Sequence, residues 1–349
     1  METSIKIQTL FSKSSNSLKM QQLLILGGAN FIGRNLLEQL EGNTQYEITL
    51  FNRGKTNATL FPEFRRIIGD RNTEDIQQIS AQDWDYIIDL SCYYPASLEA
   101  VLKSINTEKL KRYIFISTCS VYDNAIKNEL ATPESGPILS CTEEQKTTPL
   151  PAAYGEKKVA CEYLLTQSGL DYVNLRPGLV YGAYDYTDRL YYWLYQVYKK
   201  NTLLLPNNGA SLFSITYVND LTQSILEALT ISKHATDYNV MSQEYTSIQK
   251  IVATACQLLQ KKPPQVNASP TFLKEQNIIE WTEMPLWIDD NHFTFSNQKL
   301  KTDFKFQLTD WTESIVATID YYEQLHWPVP TYGMKEEKRL KLLKLIQES

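Results

Sequence analysis

The sequence predicts an α/β fold: a doubly wound parallel sheet between helices, with a smaller C-terminal lobe. Three observations carry the prediction. From residue 20 to about 175, short apolar runs alternate with stretches of helical period, the pattern of repeated βαβ units. The first of those runs flows directly into a glycine turn and then a helix. Finally, 43% apolar residues in a chain of 349 can build a large core over about two domains without disulfide or metal staples.

In order along the chain, residues 1–19 are Ser/Lys-rich and hold no apolar h-region, so they are not a secretory signal. They are expected to be a disordered extension, or to precede a true start at Met20. Residues 22–26 (QLLIL) form the first strand. Residues 31–40 follow as a helix, with apolar side chains at 32, 36, 37 and 40. Further strands are expected at 46–51, 65–68, 85–90, 111–117 and 172–175, with helix-like stretches at 73–80, 95–105 and 153–168. This first domain, 20–177, should take its ligand at the carboxyl ends of the strands.

Beyond it the rhythm changes. Aromatics crowd into RLYYWLYQVY (189–198), and strands become short and scattered. Residues 178–330 are expected to form a mixed substrate lobe, with segments packing back on the first domain. Residues 331–349, ending in KEEKRLKLLKLIQES, are expected to form a charged, solvated surface helix.

Composition excludes several classes. Lys and Arg number 34 against 40 Asp and Glu, a net charge of −6, which argues against a nucleic-acid partner. No apolar run is long enough to cross a bilayer. Five cysteines without a CxxC pair, and only three histidines, offer no metal site. They also suggest a reducing cytoplasm.

The turn LGGANFIGR (26–34) sets Gly27, Gly28 and Gly33 between a strand and a helix. Such a turn lets the backbone approach a pyrophosphate, and the helix start supplies unpaired N–H groups and a positive dipole end. Asn30 stands where many such loops carry a middle glycine, and is expected to tolerate left-handed backbone there. With Phe31 and Ile32 opening the helix, the segment reads as a Rossmann-type dinucleotide turn. About 20 residues on, NAD-binding folds place an acid for the adenosine ribose. Here Asn52 stands there, followed by Arg53 and Lys55. The absence of a carboxylate and the presence of two cations tilt the cofactor from NAD toward NADP. Asp70 is expected at the adenine, and Ser91 at the inner ribose and nicotinamide.

The fifth strand ends in ISTCSVY (116–122), and YGEKK (154–158) opens a later helix. Tyr154 and Lys158 are four apart and share a helix face. An ammonium beside a phenol favours the phenolate, and a tyrosine so tuned can take a proton from a substrate hydroxyl or return it. Thr118, at the strand end, can hydrogen-bond the same oxygen.

Together LILGGANFIG (24–33), GD (69–70), FISTCSVY (115–122), YGEKK (154–158), LRPGLVYG (175–182) and ITYVNDL (215–221) resemble the extended short-chain dehydrogenase/reductase family, in its NAD-dependent epimerase/dehydratase branch. The resemblance implies Tyr154 and Lys158 as the active-site pair, Thr118 as the catalytic hydroxyl, and Arg176 and Pro177 near the nicotinamide. It implies an NAD(P)-dependent oxidoreductase or epimerase acting on a sugar or sugar-nucleotide-like hydroxyl or ketone, and is compatible with a homodimer.

Two departures bear on the substrate. Sugar-nucleotide dehydratases of this type carry Asp-Glu after the threonine, where Cys119 and Ser120 stand. Epimerases carry a phosphate-gripping arginine where 211–214 reads SLFS. Ser120, Tyr184, Asp188 and Arg189 are expected on the substrate side, with Tyr186 and the segment 281–287 as further wall. Asn30, the FNRGKT stretch and WTEMPLW also resemble a bacterial subgroup similar to chloroplast stem-loop RNA-binding proteins. The alternative they raise is a non-catalytic nucleotide- or RNA-binding protein on the same fold.

Overall fold

The computed structural model describes residues 20–126, 130–289 and 292–348. The extension 1–19 lies outside the described residues. The strands are β1 (Gln21–Leu26), β2 (Tyr46–Asn52), β3 (Arg65–Ile68), β4 (Tyr86–Asp89), β5 (Arg112–Ile116), β6 (Tyr172–Pro177), β7 (Leu179–Tyr181), β8 (Leu203–Pro206), β9 (Phe213–Tyr217), β10 (Thr236–Val240), β11 (Gln243–Thr246) and β12 (Gln265–Ala268). The helices are α1 (Phe31–Leu40), α2 (Pro95–Lys103), α3 (Glu143–Thr147), α4 (Tyr154–Gln167), α5 (Arg189–Lys199), α6 (Val218–Ala228), α7 (Ile248–Leu258), α8 (Pro270–Glu275), α9 (Gln298–Asp303), α10 (Trp311–Gln324) and α11 (Glu336–Glu348). The stretch expected to be helical at 73–80 is a 3-10 turn, Glu74–Ala81.

Seven strands form one parallel sheet in the order β3-β2-β1-β4-β5-β6-β10. The order reverses between β1 and β4, and a crevice opens at the carboxyl ends there. A strand buried on both faces sends successive side chains to opposite cores. In β1, Leu23 and Ile25 join the core that holds α1 and α6, while Leu24 and Leu26 join the one that holds α2 and α4. The strand at 172–175 runs on to Pro177. The sheet also crosses the expected boundary at 177, because β10 forms its edge.

The rest of the chain carries a three-stranded sheet, β11-β9-β7, and the pair β12-β8. The tail differs from expectation. Helix α11 is not simply solvated, because Leu342, Leu343 and Arg339 are buried and Arg339 donates to the Thr202 carbonyl at 2.6 Å. Among the described residues, no helix is long and apolar enough to cross a membrane.

Candidate functional site

The glycine turn needs its glycines. Gly27 and Gly28 have φ of +106° and +90°, which side chains rarely tolerate. Gly33, one turn into α1, meets the turn backbone to backbone: a Cβ there would sit 2.4 Å from Gly28 Cα. These positions leave a bare main-chain cradle of the kind a pyrophosphate occupies. Asn30 acts differently from expectation. Its backbone is extended, and its side chain accepts from the Phe31 N–H at 3.0 Å, capping α1.

Asn52 is committed to the same loop. Its Nδ2 donates to the Gly27 carbonyl at 3.1 Å, and its Oδ1 accepts from the Gly54 N–H at 3.0 Å. A cavity of about 420 Å³ follows the turn, lined by Gly27 to Gly33, Asn52, Arg53, Lys55, Asp70 and Ser91. All the residues expected to hold a dinucleotide, apart from Arg176 and Pro177, therefore line one cleft.

Sequence reasoning missed the ion pair beneath that cleft. Arg71 grips Asp89 through two bonds, 2.6 and 2.9 Å, and Tyr113 donates to the same carboxylate at 2.7 Å. Burial works to raise the Asp89 carboxyl. The Arg71 guanidinium and the Tyr113 hydroxyl outweigh it and hold Asp89 below the ordinary range. The signal was an Asp inside the apolar run YIIDL, since a buried charge needs a partner. Asp89 also accepts from the Ser91 N–H at 3.2 Å, which steadies the loop entering the cleft.

A second, smaller cavity of about 240 Å³ adjoins the first and shares Phe31, Ile32, Leu90, Tyr93 and Tyr186 with it. Thr118, Ser120, Tyr154, Lys158, Pro177 and Arg189 also line it. Lys158 is buried and donates to the Ile116 carbonyl at 2.7 Å. Its ammonium lies 4.7 Å from the Phe115 ring centre and 5.3 Å from that of Tyr93. Burial works against that charge, but the phenol of Tyr154 and the thiols of Cys92 and Cys161 raise it above the ordinary lysine range.

Thr118 Oγ1 accepts from the Ser120 N–H at 3.1 Å, tightening the turn after β5. Helix α4 begins against that turn. A Cβ on Gly155 would lie 2.1 Å from the Ser120 carbonyl oxygen, so only glycine allows this approach. Lys157 fixes the segment before the helix by donating to the carbonyls of Thr148 and Ala152 at 2.6 and 2.8 Å.

Three expected site residues lie elsewhere. Arg176 is buried between Glu162, at 2.6 and 2.9 Å, and Asp237, at 2.8 Å, with Tyr122 at 3.1 Å. Its guanidinium faces a separate cavity behind α4, because alternation along β6 turns it away from the side that Pro177 occupies. Tyr184 stacks over the Arg34 guanidinium at 3.7 Å and packs edge-on against Tyr321. Asp188 accepts from the Tyr322 hydroxyl at 2.7 Å and the Thr331 N–H at 2.9 Å. Neither lines either cavity. Of the aromatic segment, Trp281 packs edge-on against Phe293, which lines the smaller cavity, while Trp287 is buried in the core.

Comparison with known proteins agrees with this architecture. The NAD dependent epimerase/dehydratase family model matches residues 23–240. The chloroplast stem-loop binding protein of 41 kDa b from Arabidopsis thaliana is 26% identical over 252 residues, covering 68% of this chain and 62% of that protein. A trifunctional UDP-glucose 4,6-dehydratase/epimerase/reductase of the same plant, RHM1, is 22% identical over 62% of this chain and 30% of its own length. This chain thus spans less than two thirds of either relative. Among solved structures, a UDP-glucuronic acid 4-epimerase from Bacillus cereus in complex with NAD superposes with a TM-score of 0.67 at 21% identity, over 88% of this chain and 100% of that one. A UDP-glucose 4-epimerase from Thermotoga maritima with UDP-glucose gives 0.69 at 17% identity, over the same shares. At these identities the superpositions speak for the fold.

Proposed function

We propose, for a chain that belongs to the NAD dependent epimerase/dehydratase family, that it is an NAD(P)-dependent oxidoreductase or epimerase acting on a hydroxyl or ketone of a sugar or sugar-nucleotide-like substrate. One observation carries the reading: Thr118, Tyr154 and Lys158 line a single small cavity that opens onto the glycine-turn cleft. Gly27, Gly28, Asn30, Phe31, Ile32 and Gly33 would hold the pyrophosphate of the dinucleotide. Asp70 would meet the adenine, Ser91 the inner ribose, and Pro177 the nicotinamide side. A nicotinamide bound there supplies the hydride acceptor or donor.

The chain's own residues handle the proton. Tyr154 takes it from the substrate hydroxyl, or returns it to the ketone. The Lys158 ammonium is fixed by the Ile116 carbonyl and lines the same cavity as Tyr154. Thr118 hydrogen-bonds the substrate oxygen, with Ser120 beside it. We take the cofactor to be NADP, because Arg53 and Lys55 stand at the end of β2 where no acid does. Calorimetric titration with NAD and NADP tests that choice, and a clear NAD preference unchanged by Arg53→Ala rejects it.

The decisive experiment is Tyr154→Phe, which removes only the proton-transferring oxygen. Folding and cofactor affinity should stay nearly intact, while hydride exchange on sugar nucleotides, free sugars and small ketones falls by about a hundredfold or more. Full exchange in the variant would overturn the assignment.

The similarity to the stem-loop binding protein supports a second reading, RNA binding on the same fold. The net charge of −6 speaks against it. Tight binding of stem-loop RNA at physiological salt, with no dinucleotide bound, would install it. We place the enzyme in the cytoplasm on its five free thiols and take it to be a homodimer, which light scattering measures directly.

A further inference from the structure

We propose that Arg189 sets the specificity of the smaller cavity and selects a substrate whose reacting unit itself carries an oxyanion, a carboxylate or a phosphate. The inference rests on the reading of that cavity as the substrate site.

The charges of the cavity are one-sided. Among the described residues that line it, Lys158 and Arg189 are the charged ones, and none is acidic. Lys158 is taken up by the Ile116 carbonyl. That leaves Arg189 as the cation able to meet a substrate group. Its Nε donates to Thr187 Oγ1 at 3.2 Å, the one bond it makes among the described residues. The two terminal nitrogens of the fork therefore remain for a ligand. A planar guanidinium matches the paired oxygens of a carboxylate or phosphate through two parallel bonds.

The arginine is held in place through its neighbours. Thr187 donates to Asp185 Oδ1 from both its hydroxyl, at 2.6 Å, and its N–H, at 2.9 Å. Asp185 and Asp188 are both buried and neither lines the cavity, although the Arg189 charge reaches Asp185. The Tyr322 hydroxyl ties them together, reaching the Asp185 carbonyl at 3.3 Å and Asp188 Oδ1 at 2.7 Å. Tyr184 and Asp188 adopt φ of +66° and +53°, left-handed backbone that costs about 1–2 kcal/mol per non-glycine residue. The surrounding bonds keep that conformation, and it delivers Arg189 as the first residue of α5.

Size places the anion on the reacting unit. At about 240 Å³ the cavity is smaller than the roughly 300–1,000 Å³ of pockets for drug-sized ligands, so it suits one sugar ring with its acid group. The stretch 211–214 offers no rival cation. Ser211 and Ser214 turn their hydroxyls to the carbonyls of Ile288 and Glu244, at 2.6 and 2.7 Å.

The test uses the full-length protein saturated with whichever dinucleotide it binds. Glucose, glucuronate and glucose 1-phosphate are titrated by calorimetry into wild type, Arg189→Gln and Arg189→Lys. Wild type should bind an acidic sugar about tenfold or more tighter than glucose. Arg189→Gln should reduce that preference to within about twofold, with dinucleotide affinity unchanged. Tighter glucuronate binding that Arg189→Lys also loses assigns a carboxylate, whereas tighter glucose 1-phosphate binding that Lys retains assigns a phosphate. A wild type that takes up the dinucleotide but shows no preference for acidic sugars overturns this inference alone. So does a preference that survives Arg189→Gln. Failure to take up any dinucleotide overturns the functional reading beneath it.

Discussion

Gly33→Ala sets two physical effects of opposite sign against each other. Gly33 lies inside α1, and alanine in a helix interior is worth about 1 kcal/mol over glycine. Propensity alone thus predicts a more stable protein. The packing predicts the reverse. The added Cβ would meet Gly28 Cα at 2.4 Å, its carbonyl carbon at 2.7 Å and its oxygen at 2.8 Å. Real contacts of this kind stay beyond 3.0 Å, so the turn and the helix must part by about 0.6 Å, by backbone movement alone. Overpacking of this kind costs about 1–3 kcal/mol, which cancels or exceeds the propensity gain. The turn that moves is the one expected to present N–H groups to a pyrophosphate. Losing one good bond to a charged group costs about 1.5–3 kcal/mol, or roughly 10- to 150-fold in affinity. Denaturant unfolding gives the first quantity, and calorimetry with NAD and NADP the second. A variant that gains about 1 kcal/mol of stability and binds the dinucleotide as wild type does would refute the reasoning, because the close approach would then not govern the loop.

Two further predictions concern buried carboxylates. Asp89→Ala leaves Arg71 buried without its partner and should destabilise the protein by about 3–5 kcal/mol, read as a lower denaturation midpoint; a loss under about 1 kcal/mol would mean that the ion pair is dispensable. Burial pushes Asp185 up from its ordinary 3.8 to about 6, against bonds from Thr187 that favour the charge. The folded chain then holds this proton more tightly than the unfolded chain. Its contribution to stability is full below about pH 4, declines as the pH rises from about 4 to 6, and is flat above. Two pKa units correspond to about 2–3 kcal/mol. Asp185→Asn keeps an oxygen for Thr187 and should flatten that slope, raising stability at pH 8 by about 2 kcal/mol; an unchanged slope places the titration elsewhere.

The sheet was legible because buried parallel strands read as apolar runs, and the glycine turn because strand, turn and helix are contiguous. The cleft residues from Gly27 to Ser91 and the trio Thr118, Tyr154 and Lys158 gather where contiguous motifs and strand ends put them. Arg176 went astray over one residue of register: Pro177 faces the cavity, so its neighbour on β6 must face away. Tyr184 and Asp188 were expected on the substrate side because they follow LVYG, but from left-handed backbone at both positions they pack instead on Arg34 and Tyr322. The pair Arg71–Asp89 joins residues 18 apart, a distance at which spacing has no meaning until β3 and β4 are placed. The tail helix hid its buried face among lysines and glutamates, and only its leucines mark where it packs.

The smaller cavity has two sides of different construction, and the close approach of Gly155 to the Ser120 carbonyl belongs to one of them. On one side Thr118, Tyr154 and Lys158 are located by main chain: the end of β5, the start of α4 and the Ile116 carbonyl. The start of α4 rests directly on the main chain that follows β5, at the Ser120 carbonyl. The facing wall is made of side chains from separate segments: Tyr93, Tyr186, Arg189 at the start of α5, and Phe293. Exchanges at Tyr186, Arg189 or Phe293 can reshape what is admitted, whereas Tyr93 packs against Tyr154 and Lys158. A chain built this way can drift between substrates by replacing one wall at a time while the side that holds Thr118, Tyr154 and Lys158 stays fixed. The wall residues are therefore where close relatives of this chain should differ when their substrates differ, and Gly155 is where they should not.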